Sequence, residues 1–125
     1  MWTPPRDDVI DQEATNLQYG STIQIRIVRQ VGEPVVLILK GELDITSMDS
    51  FERALTQVHP ARSNGLTFDL RECSFVSAQG YQAMARCSHQ THVEVRSTTD
   101  LASRVLAVYG YEGVVRVMIP ESTLR

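Results

Sequence analysis

The chain has little of several features that would point to particular functions. Its 125 residues include only two cysteines, Cys73 and Cys87, and these lack metal-ligand spacing, which favours a reducing compartment over a disulfide framework. The longest apolar run, residues 35–39, is far below the roughly 20 residues needed to span a bilayer. The N-terminus is acidic and contains prolines, unlike a signal peptide. We therefore expect a cytoplasmic protein with no membrane insertion.

Beyond the first residues, neither sign of charge is in excess. The formal net charge is −3, and the first 19 residues account for all of it, since they hold four acidic residues and one arginine. No basic patch suited to nucleic acid is visible. The N-terminal stretch lacks periodicity and carries Pro4 and Pro5, which is typical of a flexible acidic tail. We predict a tail over residues 1–20, one domain over 21–119 and a short C-terminal tail over 120–125.

What the chain does contain is a regular succession of strand and helix patterns. Ile23, Ile25 and Ile27 alternate with polar neighbours, as in a half-buried strand. Residues 31–34 supply turn chemistry, and residues 35–39 form a continuous apolar run, rich in β-branched residues, that is typical of a buried strand. These two strands are predicted to pair as an antiparallel hairpin.

Three helices and three further strands follow. Met48, Phe51 and Leu55 recur at helical spacing after a capping box over residues 46–49, and Pro60 ends this helix. Further strands are predicted over residues 66–70, 92–96 and 114–119, and further helices over 78–89 and from 101 to a C′ residue at Gly110. The order β-β-α-β-α-β-α-β predicts an α/β domain with a mixed, mostly parallel sheet.

Two short segments are candidates for function. Gly-Glu-Leu-Asp at 41–44 follows the second strand, and Ser-Ala-Gln-Gly at 77–80 begins the second helix. A helix N-terminus presents free N–H groups and the positive end of its dipole. Sites in open α/β sheets lie beyond the carboxyl ends of parallel strands, so we expect Asp44 and Ser77 to lie close together. The alternative for the first segment is an ordinary strand-ending turn whose carboxylates are solvated.

These residues resemble a known family. The order of elements, the turn at 41–44, Phe-Asp-Leu at 68–70, the pair Phe75 and Val76, and the turn ending in Gly80 are similar to a STAS domain, the SpoIIAA-like fold of bacterial anti-sigma factor antagonists. The resemblance covers about residues 22–119. It implies a protein that is not an enzyme and that binds an anti-sigma factor, usually a serine kinase of the histidine-kinase-like ATPase type, and so frees a sigma factor for transcription.

The resemblance fails at the residue that controls such proteins. In the family, the kinase phosphorylates a serine or threonine at the start of the second helix, within Asp-Ser-Ser-Gly. Matched through Phe75 and Gly80, that acceptor becomes Ala78, which has no hydroxyl, and the preceding acid becomes Ser77. Ser77 is either a displaced acceptor or an ordinary helix N-cap. The mismatch favours a protein that binds without this control.

The expected docking edge combines the turn with the second helix. Its partner-binding residues are Asp44, Ser77, Ala78, Gln79, Gly80, and Tyr81 and Arg86 on exposed parts of the second helix, although Tyr81 is also compatible with the core. Cys73 lies before the second helix and Cys87 within it, so a disulfide between them would alter the expected docking surface. The alternative is that both are small buried hydrophobes.

Two other functions stay open. A STAS scaffold subunit of a transport assembly, such as an ABC permease, or of a stress-sensing complex also tolerates a missing acceptor. A small thiol-dependent enzyme would use Cys73 near a histidine. No spacing in the sequence predicts a catalytic triad, a metal site or a cofactor.

Overall fold

The computed structural model describes residues 10–15 and 23–119, and of residues 10–15 it describes only the backbone. The strands are β1 (Ile10–Thr15), β2 (Gln24–Arg29), β3 (Val35–Leu43), β4 (Leu66–Val76), β5 (Val93–Arg96) and β6 (Arg116–Met118). The helices are α1 (Met48–Val58), α2 (Ala78–Arg86) and α3 (Leu101–Val108), with short 3-10 turns at Pro60–Arg62 and Cys87–His89. None of the described helices is long and apolar enough to cross a membrane.

The six strands form one sheet in chain order. β2 and β3 pair antiparallel, as the hairpin prediction requires, and β3 to β6 pair parallel. Each parallel strand adds to the same side of the sheet as its predecessor. Because such crossovers are right-handed, α1, α2 and α3 all lie on one face. The predicted mixed, mostly parallel α/β sheet is confirmed.

The core lies between the sheet and this helical layer. One row of the sheet register runs through Ile27, Leu37, Phe68 and Val95, which are at most 1% exposed. The ring of Phe51 on α1 lies 5.8 Å from that of Phe68. Phe51 is one of the residues whose helical spacing predicted α1, so the period of the sequence correctly marks the buried face.

The opposite face of the sheet carries an ion pair in which the carboxylate is buried and the guanidinium is half-exposed. The Asp69 carboxylate, only 7% exposed, accepts hydrogen bonds from Arg71 Nε at 2.9 Å and Nη2 at 2.7 Å. Burial by itself raises the pKa of Asp69, but the hydrogen bonds from Arg71 and the charges of Arg71 and Arg96 outweigh it, so the pKa is lower than usual. The ionised pair is thereby part of the folded state.

Several boundaries differ from the predictions. β3 continues past residue 39 to Leu43, α2 ends at Arg86, and the last strand covers only Arg116–Met118. Ile10–Thr15, predicted to belong to the tail, forms β1 and pairs antiparallel with β2, because an open sheet edge offers backbone hydrogen bonds whatever the side-chain pattern. β4 continues to Val76, beyond the predicted 66–70, because register shifts near Gly41 let β3 and β4 stay paired. The remaining parts of both predicted tails lie outside the described residues, and the domain limits 21–119 stay a prediction.

The start of α1 also differs. Ser47 occupies the N-cap position without a side-chain cap, and Thr46 Oγ1 donates instead to Asp44 Oδ1 at 2.6 Å. The capping box predicted over 46–49 is therefore wrong. The end of α1 follows the prediction, because Pro60 disfavours a helical conformation at His59, which adopts φ +49° as C-cap. Gly110 takes φ +83° after α3, as a C′ residue does.

Candidate functional site

The carboxyl ends of β3 and β4 bring the two candidate segments together. Leu43 pairs with Val76, and the Ser77 N–H donates to the Leu43 carbonyl at 2.9 Å. Asp44 directly follows Leu43, so the turn before α1 and the start of α2 form one continuous edge. This is the proximity that the strand order predicts. We call this surface the β3–α2 edge, defined by residues 42–46 and 75–79.

The Asp44 side chain organises the turn from within. Its Oδ1 accepts from the Thr46 N–H at 2.9 Å and from Thr46 Oγ1 at 2.6 Å, an arrangement typical of an Asx turn. The hydroxyl bond from Thr46, together with weaker bonds from the Thr46 and Ser47 backbones, lowers the pKa of Asp44 despite some desolvation. The carboxylate is thus held ionised in a fixed orientation, half-exposed at the edge.

Ser47 holds the same turn from below, and sequence reasoning missed it. Its side chain is completely buried, and its hydroxyl donates to the Glu42 carbonyl at 2.9 Å while accepting from the Asp44 N–H at 2.9 Å. A buried hydroxyl that satisfies both a donor and an acceptor makes the turn a single rigid unit. The sequence signal was only one more hydroxyl beside Thr46, and adjacent hydroxyls are indistinguishable without the fold.

The first turn of α2 is open to solvent. Ser77 is the N-cap, and its hydroxyl accepts from the Gly80 N–H at 3.1 Å, which agrees with the N-cap interpretation. Ala78 and Gln79 are exposed in the first turn, where backbone N–H groups have no partner within the helix. The edge therefore combines an exposed helix N-terminus with a fixed carboxylate.

Gly80 serves packing rather than contact with a partner. It is buried, and a Cβ added to it would lie 2.8 Å from Leu43 Cδ2 and 3.0 Å from Val76 Cγ1. Only glycine lets α2 approach the ends of β3 and β4 this closely. The expectation that Gly80 lies on the docking surface is corrected, because the residue is buried.

Tyr81 and Arg86 do not join the edge. Tyr81 is only 5% exposed, so the predicted exposed position is wrong and the core alternative is right. Arg86 is exposed but ends α2, about 12 Å along the helix axis from Ala78 at 1.5 Å per residue. There it lies 3.6 Å from Glu52 of α1, a surface ion pair.

Two exposed apolar side chains at this edge were not predicted as site residues. Ile45, next to Asp44, is 78% exposed, and Phe75, opposite Glu42 in the sheet, is 52% exposed. The alternation of side chains between the two faces of β4 could have predicted an exposed Phe75, but the strand was predicted to end at residue 70. Large apolar side chains such as these can fill pockets on a partner protein.

The cysteines are both free thiols. Burial raises the pKa of Cys73 and raises the pKa of Cys87 to about 11. Because the thiolate is the reactive form, neither environment activates sulfur for attack or exchange. A disulfide is not formed in this structure, and a redox role of the pair stays a prediction without support from their surroundings.

Metal-binding groups are not assembled in the part of the chain that the structure describes, where no three His, Cys, Asp or Glu side chains are placed to hold an ion. The His89 ring instead lies edge-on to that of Tyr111, with centroids 6.2 Å apart. The β3–α2 edge offers recognition chemistry: a carboxylate, a helix N-terminus and apolar side chains.

Comparison with known proteins gives the fold a context. No protein-family model matches the sequence, and neither does any curated protein. Among solved structures, the chain is similar to an anti-sigma factor antagonist from Mycobacterium paratuberculosis, with a TM-score of 0.61 and 15% identity over 98% of this chain and 96% of that one. It is also similar to the anti-sigma factor antagonist SpoIIAA in its unphosphorylated form, with a TM-score of 0.59 and 15% identity over 80% of this chain and 92% of that one. The chain therefore has the SpoIIAA-like STAS fold.

Proposed function

We propose that this STAS-fold chain is an anti-sigma factor antagonist that binds its partner through the β3–α2 edge. The observation that carries the proposal is the hydrogen bond from the Ser77 N–H to the Leu43 carbonyl, which joins an ordered acidic turn to an exposed helix start. The two similar structures are both anti-sigma factor antagonists, which supports the same role here. In this role the protein acts in the cytoplasm by binding, not by catalysis.

The chemistry of the edge defines the partner surface that would fit it. Asp44 is held ionised and Glu42 is exposed beside it, so the partner supplies basic side chains. Ile45 and Phe75 protrude and require apolar hollows on the partner. The partner we propose is an anti-sigma factor of the histidine-kinase-like ATPase type, and its capture releases a sigma factor for transcription.

We further propose that docking is not controlled by phosphorylation. Ala78 stands at the exposed position that matches the family acceptor, and it has no hydroxyl. The neighbouring Ser77 hydroxyl is half-buried and already accepts a hydrogen bond from the Gly80 N–H, so a kinase would have to displace that contact to reach it. A phosphate on Ser77 would add about −1.5 to −2 of charge beside Asp44.

The test mixes the purified protein with candidate anti-sigma kinases and measures association with and without ATP and magnesium. We expect binding that ATP does not reverse and no added phosphate by mass spectrometry. Failure to bind any such kinase contradicts the proposed role. Co-purification with a transport ATPase or permease instead supports the scaffold alternative. Phosphate on Ser77 contradicts the uncontrolled mode, with Ser77→Ala as the control that removes this hydroxyl.

Restoring the acceptor gives a sharper comparison. Ala78→Ser places a hydroxyl at the matched position, and we expect the variant to accept phosphate and to dissociate from the kinase in the presence of ATP. Gln79→Ser puts a hydroxyl on the adjacent exposed residue, about 100° around the helix, and should not become a substrate. Equal phosphorylation of the two variants would show that position at this helix start does not matter.

The apolar contribution can be separated from the fold. Ile45→Ala removes an exposed side chain from the edge, and Val108→Ala removes one that is 80% exposed on α3. We expect the first substitution to weaken binding about tenfold, or about 1.4 kcal/mol, and the second to leave it unchanged. Equal effects would place the docking surface elsewhere.

A further inference from the structure

A cleft opens at the end of the sheet opposite the β3–α2 edge. Its volume is about 490 Å³, within the range of about 300–1,000 Å³ typical of sites for small molecules. It lies between the β2–β3 turn and the connection from α1 to β4. Val35 and Val58, both at most 7% exposed, contribute apolar lining, and Val31 in the turn contributes more.

The walls of the cleft are set by backbone hydrogen bonds. The Glu33 N–H donates to the Gln30 carbonyl at 3.0 Å on one side, and the Arg62 N–H donates to the His59 carbonyl at 2.8 Å on the other. The Val35 N–H donates to the Gly65 carbonyl at 2.9 Å and ties the two sides together. The cleft is therefore present before any ligand binds, and little ordering opposes binding.

The charged groups around the cleft favour an anion. Arg29 and Arg62 line it, against the single carboxylate of Glu33. Arg29 Nη2 donates to the Gln57 carbonyl at 2.6 Å near the end of α1, which orients its guanidinium and leaves further N–H groups. Among the described residues, the Arg62 side chain has no hydrogen-bond or ion-pair partner. Guanidinium groups bind carboxylates with two parallel hydrogen bonds.

We propose that this cleft binds a small organic acid, a carboxylate attached to an apolar body. The carboxylate pairs with Arg62 and Arg29, and the hydrocarbon part lies against Val31, Val35 and Val58. The site is independent of the proposed docking function because it lies at the other end of the parallel strands. The remaining lining is mostly polar and consists of Gln30, Gly32, His59, Ser63 and Asn64.

Octanoate is a suitable probe, with octylamine as the cation of the same carbon-chain length. We expect octanoate to bind the full-length protein with a Kd of about 0.1–1 mM, the range that ligand-efficiency bounds allow for ten heavy atoms. Amide NMR shifts should move at Gly32 and Asn64 and stay fixed at Ala78 and Gln79. Octylamine should bind at least about fivefold more weakly.

Three charge variants test the assignment. Arg62→Gln should weaken octanoate binding about five- to tenfold, whereas Glu33→Gln should strengthen it about two- to threefold by removing a repulsive charge. Arg53→Gln makes the same change of net charge on the exposed face of α1 and should have no effect. Arg62 is exposed, so its loss leaves the fold intact.

Several results would overturn the proposal. These are an affinity unchanged by Arg62→Gln, equal loss in Arg53→Gln, octylamine binding as tightly as octanoate, or shifts confined to other surfaces. Absence of any shift at Gly32 and Asn64 up to about ten times the expected Kd would also refute it.

Discussion

Removing the Ser47 hydroxyl tests whether a single buried oxygen organises the β3–α2 edge. Ser47→Ala deletes one atom from a side chain that is completely buried and creates almost no cavity. The Asp44 N–H and the Glu42 carbonyl, each 2.9 Å from that oxygen, both lose a partner. Since the hydroxyl does not cap α1, loss of a helix cap adds nothing to the cost.

The magnitude follows from these two bonds. Leaving one buried polar group unsatisfied costs about 1–3 kcal/mol. Here the turn is half-exposed and water can reach part of it, so we expect a loss of about 2 kcal/mol in the free energy of unfolding. For a domain of this size, that corresponds to a fall in Tm of about 8 °C.

Ser50→Ala is the matched control. Ser50 is also buried, at 3% exposure, in the first turn of α1, but its hydroxyl has only a 3.5 Å contact from Arg53 Nη2. Alanine has the higher helix propensity, so we expect a change within about 0.5 kcal/mol. Urea unfolding at equal m-values gives both numbers. If the two variants agree within that margin, the Ser47 hydroxyl does not hold the turn, and the preorganised edge is refuted.

Three further predictions concern packing, acid and thiol chemistry. Gly80→Ala should lower the free energy of unfolding in urea by about 1 kcal/mol, because overpacking of about 1–3 kcal/mol exceeds a helix-propensity gain of about 1 kcal/mol. The control Gln79→Ala, on the exposed face, should lower it by less than about 0.5 kcal/mol. Equal losses in the two variants would refute the close approach of α2 to the strand ends. The Asp69 pKa is lowered in the folded state, so its stabilising contribution is present above the usual pKa of about 3.9 and is lost as pH falls below it. Asp69→Asn should therefore flatten the acid side of the stability curve, and an unchanged slope there would contradict this. The pKa of Cys87 is about 11, so about 0.1% of this thiol is thiolate at about pH 8. Cys87 should therefore react with iodoacetamide only when the protein unfolds. Rapid reaction of the native protein would show that the thiol is accessible.

Much of the fold could be predicted because its local signals agree. The alternation of Ile23, Ile25 and Ile27 marks a strand with one buried face, and the spacing of Phe51 and Leu55 marks the buried stripe of α1. Gly110 marks the end of α3 because few other residues tolerate its positive φ. Each of these signals depends on a residue's own neighbours in sequence.

The wrong predictions concern features that are determined by contacts between residues distant in sequence. A tyrosine at the start of α2 fits a surface or a core equally well, and only the packing of that helix buries Tyr81. The residues of β1 show no apolar pattern that would predict a strand. Their pairing depends instead on the free backbone edge of β2. Between Thr46 and Ser47, the choice of organising hydroxyl depends on the Glu42 carbonyl, whose position is set by the register of β3 against β4.

The amino-acid sequence by itself determined the succession of strands and helices, the small residues at the start of α2 and the absence of a hydroxyl at Ala78. Only the tertiary structure decided that Leu43 and Ser77 meet, that Gly80 is enclosed and that Ile45 and Phe75 remain in water. The physical reason is that side-chain periodicity reports which face of an element is buried, whereas parallel pairing between distant strands sets which ends lie side by side.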